Sequence, residues 1–182
     1  MSEIKDIFNF DNSIYQQLKE PSRAVSKAYL NGNRFLDTAK EFVYIEYGLK
    51  HCSDIIHREA HVCLKRLDIF GDLLHERHLI QLYPETPELD YREELKSMDD
   101  VFSFIIRVLD SIEEALEVFH EATDNAKFRP MALKVEELML QNSMDYTKFL
   151  EMWTRYDTDR GSLTSFDSWC RQFSKEANDE RF

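Results

Sequence analysis

Five of the six histidines fall in one stretch of the chain, between His51 and Tyr83. The stretch contains a single glycine, and its apolar residues recur with the period of a helix. At about 100° per residue, the apolar residues share one side. The opposite side carries imidazoles and carboxylates: His57, His61, Asp68, Asp72 and His75. Because such ligands suit iron, manganese or zinc, the sequence predicts a helix with one core face and one face that could bind a metal.

Several polar residues fall inside the apolar faces of predicted helices, where they need partners. Glu59, Arg66 and Arg77 lie on the apolar arc of the histidine helix, Glu46 lies in the stripe of the preceding helix, and Asn142 lies in that of the last long helix. A buried charge without a partner is strongly unfavourable. These residues therefore either form a polar network that fixes the helix register, with Glu46 or Asn142 beside Arg66, or act as ligands.

Composition narrows the class of protein. The 182 residues are 43% hydrophobic, which predicts one domain over residues 1–182 with an adequate core. The net charge of -12 argues against nucleic-acid binding. Three cysteines without zinc-type spacing predict reduced thiols and a cytoplasmic protein. We expect no signal peptide and no membrane span, because no segment carries the necessary apolar run.

Prolines and glycines divide the chain into helices, which predicts an all-α four-helix bundle. The predicted elements are a short N-terminal helix over 3–20, a first long helix from Ser22 to about Tyr47, the histidine helix, a third helix over 97–123, a fourth helix from Pro130 to 156, and a C-terminal tail over 157–182 packed on the bundle. The bundle core thus covers about 22–156.

The fourth helix carries a second apolar stripe on the side away from its core stripe. It consists of Leu133, Leu140 and Met144. Such a stripe predicts contact with the N-terminal segment or with another subunit, so we expect a homo-oligomer.

Four long helices with a long connection between the second and third resemble the ferritin-like superfamily over residues 22–156. The segment from Asp72 to Arg77 resembles the Asp-x-x-x-Glu-Arg segment of the Dps-type mini-ferritins. That family has a histidine fifteen residues before the aspartate, a position held here by His57. The resemblance implies an iron-oxidising protein whose site is built across a subunit interface by His57, Asp72 and Glu76, with His61, His75 or Asp68 in support.

The chain also departs from these families. The second histidine of the mini-ferritin site falls on Ile45. The di-iron centre of true ferritins needs inward carboxylates on several helices, but the third helix has none at the centre of its stripe, and Arg66 stands where a ligand is expected. Glu117 and His120 match the Glu-x-x-His motif, yet Glu117 points outward. The alternative is therefore a non-enzymatic, acidic helical-bundle interaction protein with a metal-free ferritin-like fold.

Overall fold

The structure is a computed structural model that describes residues 12–76, 79, 81 and 93–179. These residues form five helices: α1 (Asn12–Tyr47), α2 (Lys50–His75), α3 (Met98–Asn125), α4 (Arg129–Thr158) and α5 (Leu163–Asp179). The bundle places α1 against α2 and α3, and α3 against α4, while α5 packs mainly on α2. The backbones of α2 and α4 approach each other at only a few points, and a groove bridged by side chains runs between the two helices. The predicted all-α four-helix bundle is confirmed.

The first helix differs from the prediction. We expected a short helix over 3–20 and a second helix from Ser22, but α1 continues through Pro21 without a break. A proline costs a helix its own N–H bond and crowds the preceding turn, yet Leu18 and Val25 on either side of it are buried and hold both halves on the bundle. The Ser22 hydroxyl donates to the Lys19 carbonyl instead of capping a helix. Residues 3–11 of the predicted helix lie outside the described residues.

Two glycines shape the hairpin of α1 and α2. Gly32 lies in the middle of α1, where a Cβ atom would be 3.2 Å from Ile112 Cδ1 and 3.3 Å from Cys63 Sγ. The missing side chain therefore lets α1 approach both neighbouring helices. Gly48 follows α1 with a φ of 65°, a left-handed conformation that glycine adopts without strain. The predicted end of the first helix at Gly48 is confirmed.

The second helix ends at His75 and not at Tyr83, the predicted end. After this point the chain turns back on the helix. The backbone N–H of Leu79 donates to the Leu74 carbonyl at 2.9 Å, and Leu79 is buried. The side chain of Gln81 then donates to a backbone carbonyl within α2. Apolar spacing predicted a longer helix because a segment that folds back over a helix buries apolar side chains just as a continuation of the helix would.

The C-terminal segment forms a helix, α5, that aromatic side chains hold on the bundle. Phe166 is fully buried, and its ring centroid lies 6.3 Å from that of Phe102 and 5.5 Å from that of Tyr156. Trp169 stacks on Phe173 at 4.6 Å, and both pack against the core. The prediction that the C-terminal tail packs on the bundle is confirmed for the residues of α5. Within the described residues, no helix combines the length and apolar character needed to span a membrane.

A side chain of α5 caps the N-terminus of α2. Leu49, which precedes α2, makes no side-chain cap, and Asp167 Oδ1 instead accepts from the backbone N–H groups of His51 at 2.8 Å and Cys52 at 3.1 Å.

Asp167→Ala is expected to lower the free energy of unfolding by about 1–2 kcal/mol, since it removes a cap and a charge that favours the helix dipole. Urea denaturation measures the loss. Asp167→Asn, which keeps an acceptor, should lose less, and equal losses would contradict the role of the charge.

Candidate functional site

Four charged side chains meet in the centre of the bundle, two from α2 and two from α4. Arg66 donates a hydrogen bond to Asp145, and Lys148 donates one to Glu59. Lys148 Nζ also lies 3.2 Å from Asp145 Oδ1, and Arg66 Nη1 lies 3.9 Å from Glu59 Oε1. Positive and negative groups therefore alternate in a closed arrangement, which we call the ionic ring (Glu59, Arg66, Asp145 and Lys148). Two acids balance two bases, so the ionised ring is neutral.

Burial and mutual attraction compete within the ionic ring. Burial opposes ionisation of Asp145, but Lys148 and Arg66 outweigh it and hold the pKa of that carboxyl below its ordinary value. For Glu59 burial is the larger effect and raises the pKa, although both cations oppose it. Burial likewise opposes the charge of Arg66, yet the two carboxylates raise its pKa. Each carboxylate therefore depends on the cations for its charge.

Further buried polar groups, on α1, α2 and α4, lie near the ionic ring. Asn142 donates to the Leu109 carbonyl at 3.0 Å and to Glu113 Oε2 at 2.7 Å, which ties α4 to α3. Tyr29 of α1 and Cys63 of α2 are fully buried nearby. Burial raises the pKa of Tyr29 above its ordinary value and that of Cys63 to about 12. Both groups are therefore neutral at physiological pH and add no charge to the ring.

The sequence predicted part of this network. Glu59 and Arg66 are buried and paired, as their position on the apolar arc required. The partners of Asn142 are on α3, however, and the prediction that Glu46 belongs to the network is wrong. Glu46 is exposed, as are Tyr44 and Ile45 in the same last turn of α1, so its carboxylate lies away from the core.

Asp145 and Lys148 were missed, although the sequence carries a signal for the first. The core residues of α4 follow one another at alternating spacings of four and three: Met131, Val135, Leu138, Asn142, Asp145, Phe149 and Met152. This spacing places Asp145 on the buried side of the helix. Lys148 then lies three residues further on, where side chains on a helix meet.

Two of the predicted ligands meet on the outer side of α2. His57 Nε2 lies 3.2 Å from His61 Nε2, and the two rings are nearly perpendicular. On its other side, His57 Nδ1 lies 3.1 Å from Oδ1 of Asp37, a residue of α1. Asp37 was missed because no local pattern connects it with the histidines. The tight turn at Gly48 sets the register that places Asp37 beside His57.

The other predicted ligands, Asp72 and Glu76, lie further along the same helix. At 1.5 Å per residue, Asp72 is about 22 Å from His57 along the helix axis. Asp72 and Glu76 are exposed and line an open groove of about 270 Å³ with Lys134 and Glu137 of α4. Within a single chain, the four predicted ligands therefore form two separate pairs, His57 with His61 and Asp72 with Glu76. In residues 12–76, 79, 81 and 93–179, no three His, Cys, Asp or Glu side chains are placed to hold a metal ion together.

Apolar side chains are exposed on the outer side of α4 and, at Ile69, on α2. Leu140 and Met144 of α4 are each 65% exposed, and Leu133 and Ile69 are also exposed. Met144 and Ile69 line a second open groove of about 400 Å³, in which Arg66 also takes part. The predicted second stripe of the fourth helix thus faces solvent in the single chain. We call these four residues the outer stripe (Ile69, Leu133, Leu140 and Met144).

Solved structures with a similar fold include a ferritin. The chain aligns with apo-ferritin from Pseudo-nitzschia multiseries at a TM-score of 0.77 and 15% identity, over 84% of this chain and 98% of that one. Two PmFTN variants soaked in iron align at TM-scores of 0.76 and 0.75 with 12% and 16% identity, over 85% and 84% of this chain and 97% and 98% of theirs. No protein-family model and no curated protein matches the sequence. The similarity shows a ferritin-like fold, while the resemblance to Dps-type proteins stays a prediction.

The centre of the bundle does not fit the di-iron site of ferritin-like proteins. That site takes a Glu from each of two helices and a Glu-x-x-His motif from each of the other two, all pointing inward. Among the described residues, the fully buried carboxylates are Glu59 of α2 and Asp145 of α4. Glu113 of α3 is only half-buried, and its carboxylate accepts a hydrogen bond from Asn142. Glu117 of the one Glu-x-x-His candidate on α3 is exposed, and its His120 lies 3.0 Å from Glu136 on α4.

The positive charges in the centre of the bundle also oppose the binding of a metal ion. The two fully buried carboxylates, Glu59 and Asp145, already contact the cations Arg66 and Lys148. A metal dication would replace an attraction between opposite charges by repulsion from two nearby cations in a buried setting, where water screens little.

Proposed function

We propose that this chain is a non-enzymatic, ferritin-like interaction protein in which the ionic ring takes the place of a di-metal centre. The observation that carries the proposal is the pairing of both fully buried carboxylates, Glu59 and Asp145, with the cations Arg66 and Lys148. Arg66 is buried and donates a hydrogen bond to Asp145, so its positive charge stays within the ring. The bundle therefore supplies from its own side chains the positive charge that a metal would bring.

We propose further that the protein acts as a homo-oligomer and that the outer stripe forms the contact between copies. The exposed apolar side chains need a partner surface. The two grooves beside them carry the bases Lys65 and Lys134, of which Lys134 pairs with Glu137, as well as the acids Asp72 and Glu76. A surface with charges of both signs can pair with a second copy of itself about a two-fold axis.

Leu140→Lys is expected to convert the oligomer into a monomer, because a charge then replaces an apolar contact at the centre of the outer stripe. Since Leu140 is exposed in the single chain, its helical content should stay unchanged. Size-exclusion chromatography with light scattering measures the mass. Val118→Lys is the matched control, because Val118 is exposed on α3 away from the groove. Equal masses for wild type and Leu140→Lys would contradict the assignment.

A second candidate function is iron oxidation by a mini-ferritin-type site shared between subunits. His57, His61, Asp72 and Glu76 all lie at the outer side of α2, and the two acids line an open groove. A neighbouring subunit could therefore bring the acid pair of one chain to the histidine pair of another. Ferritin-like relatives at low identity include structures soaked in iron, and the acidic charge of the chain would attract Fe²⁺.

The rate of Fe²⁺ oxidation separates the two candidates. The first proposal, in which the bundle core holds no metal, predicts that the purified, tag-free protein oxidises Fe²⁺ no faster than buffer does. The shared site predicts faster oxidation that Asp72→Ala abolishes and that Asp68→Ala, a change of another exposed acid on α2, leaves intact. Fast oxidation would overturn the first proposal, and a rate unaffected by Asp72→Ala would remove the shared site.

A further inference from the structure

We infer that His57 and His61, oriented by Asp37, form a two-imidazole chelate that binds one divalent transition-metal ion within a single chain. The chelate lies outside the bundle core and is independent of the ionic ring. It also differs from the shared iron site, because it needs neither Asp72 nor Glu76 and no second subunit.

The separation of the two ring nitrogens fits one metal ion. His57 Nε2 and His61 Nε2 are 3.2 Å apart. With metal–nitrogen bonds of about 2.0–2.1 Å, two ligands on one ion are separated by about 2.9 Å at a right angle and about 3.4 Å at a tetrahedral angle. The observed distance lies between these limits. One helical turn separates the two residues, so the backbone of α2 fixes the spacing.

Asp37 sets the tautomer that metal binding needs. An ionised carboxylate only accepts hydrogen bonds, so the 3.1 Å contact requires a proton on His57 Nδ1. In the neutral ring, Nε2 then presents its lone pair, on the side where His61 lies. Metal-binding histidines in proteins are commonly held by a carboxylate in this way. Lys40 Nζ also lies 3.4 Å from the same Asp37 oxygen. The two groups compete for that oxygen, so we expect Asp37 to position the His57 ring with only moderate strength.

The surroundings define the kind of ion. The side chains of His57 and Asp37 are 43% and 42% exposed, and His61 is exposed, so water can fill the remaining coordination positions. Two neutral imidazoles favour Zn²⁺, Ni²⁺ or Cu²⁺ over Mg²⁺ and Ca²⁺, which prefer oxygen ligands. In the absence of metal, His61 Nε2–H donates to His57 Nε2, and metal binding moves that proton to the other nitrogen of His61 or to solvent.

Calorimetric titration of the tag-free protein with Zn²⁺ tests the inference. We expect one ion per chain, loss of measurable binding in His57→Gln and in His61→Gln, and about tenfold weaker binding in Asp37→Asn. His75→Gln, a change of another exposed histidine on α2, should bind like wild type, as should Asp72→Asn. Titration with Mg²⁺ should show no binding. Circular dichroism verifies that each variant keeps its helical content.

Each alternative outcome overturns the inference. No heat with Zn²⁺, or equal binding in His57→Gln, His61→Gln and His75→Gln, would show that these histidines form no site. Loss of binding in Asp72→Asn together with His57→Gln would replace the one-chain chelate by the site shared between subunits. None of these results depends on Fe²⁺ oxidation or on the ionic ring. Absence of Zn²⁺ binding therefore leaves the proposed function standing, whereas a dependence on Asp72 would favour the second candidate function.

Discussion

Arg66→Met is expected to lower the free energy of unfolding by about 3–5 kcal/mol, because it leaves the buried carboxylates of Glu59 and Asp145 with a single cation between them. Met fills much of the volume of the arginine stem, so the loss reports the charge and not a cavity. Urea denaturation followed by circular dichroism measures it at neutral pH.

Removal of opposite charges together provides the control. The double variant Arg66→Met, Asp145→Leu keeps the ring neutral, so it should be more stable than Arg66→Met alone. Lys148→Met should cost less than Arg66→Met, because the lysine side chain is 17% exposed and water partly screens its loss. A double variant no more stable than Arg66→Met would show that packing, and not charge balance, governs this region.

Phe166→Ala is expected to destabilise the protein by about 3–5 kcal/mol through the cavity that it leaves among Phe102, Tyr156 and Trp169. Because Phe166 joins α5 to α3 and α4, its loss should also release α5. In Phe166→Ala, amide hydrogen exchange should therefore become faster than in wild type along α5, and it should change less in α3.

Phe173→Ala is the matched change on the same helix. Phe173 is only partly buried, so its truncation should cost clearly less than that of Phe166. If both variants lost the same stability, or if α5 exchanged no faster in Phe166→Ala, the aromatic cluster would not be what holds α5.

Local sequence patterns predicted the helices well and two of their ends poorly. Periodicity and the prolines indicated α3, α4 and the bundle as a whole. Pro21 indicated a break in α1, but the burial of Leu18 keeps the helix on the bundle, and burial there depends on other helices. The early end of α2 at His75 likewise depends on Leu79 folding back, a contact that helical spacing does not encode.

The candidate sites show the same division. The helical wheel placed Glu59 and Arg66 inside, because a single helix determines that position. Their partners Asp145 and Lys148 follow only from the packing of α4 opposite α2. In the same way, the spacing of His57 and His61 is visible in the sequence, whereas Asp37 joins them through the register of the α1–α2 hairpin.

The central claim is that the ionic ring stands in place of a metal centre, and the effect of Mn²⁺ on thermal unfolding tests it most directly. Mn²⁺ favours carboxylate ligands and so avoids the histidine pair. In the double variant Arg66→Met, Lys148→Met, the two freed carboxylates should bind the ion, and Mn²⁺ should raise the melting temperature reversibly with chelator. At a free Mn²⁺ concentration one hundred times the dissociation constant, the gain would be about 2.7 kcal/mol.

Wild type should melt at the same temperature with and without Mn²⁺. Lys148→Met alone is the second variant if the double variant does not fold, and it should respond to Mn²⁺ in the same direction. Stabilisation of wild type by Mn²⁺ that Glu59→Gln removes would contradict the account, because it would place a metal among side chains that we assign to a closed network of ion pairs. The same melting temperature with and without Mn²⁺ in every folded variant would contradict it as well.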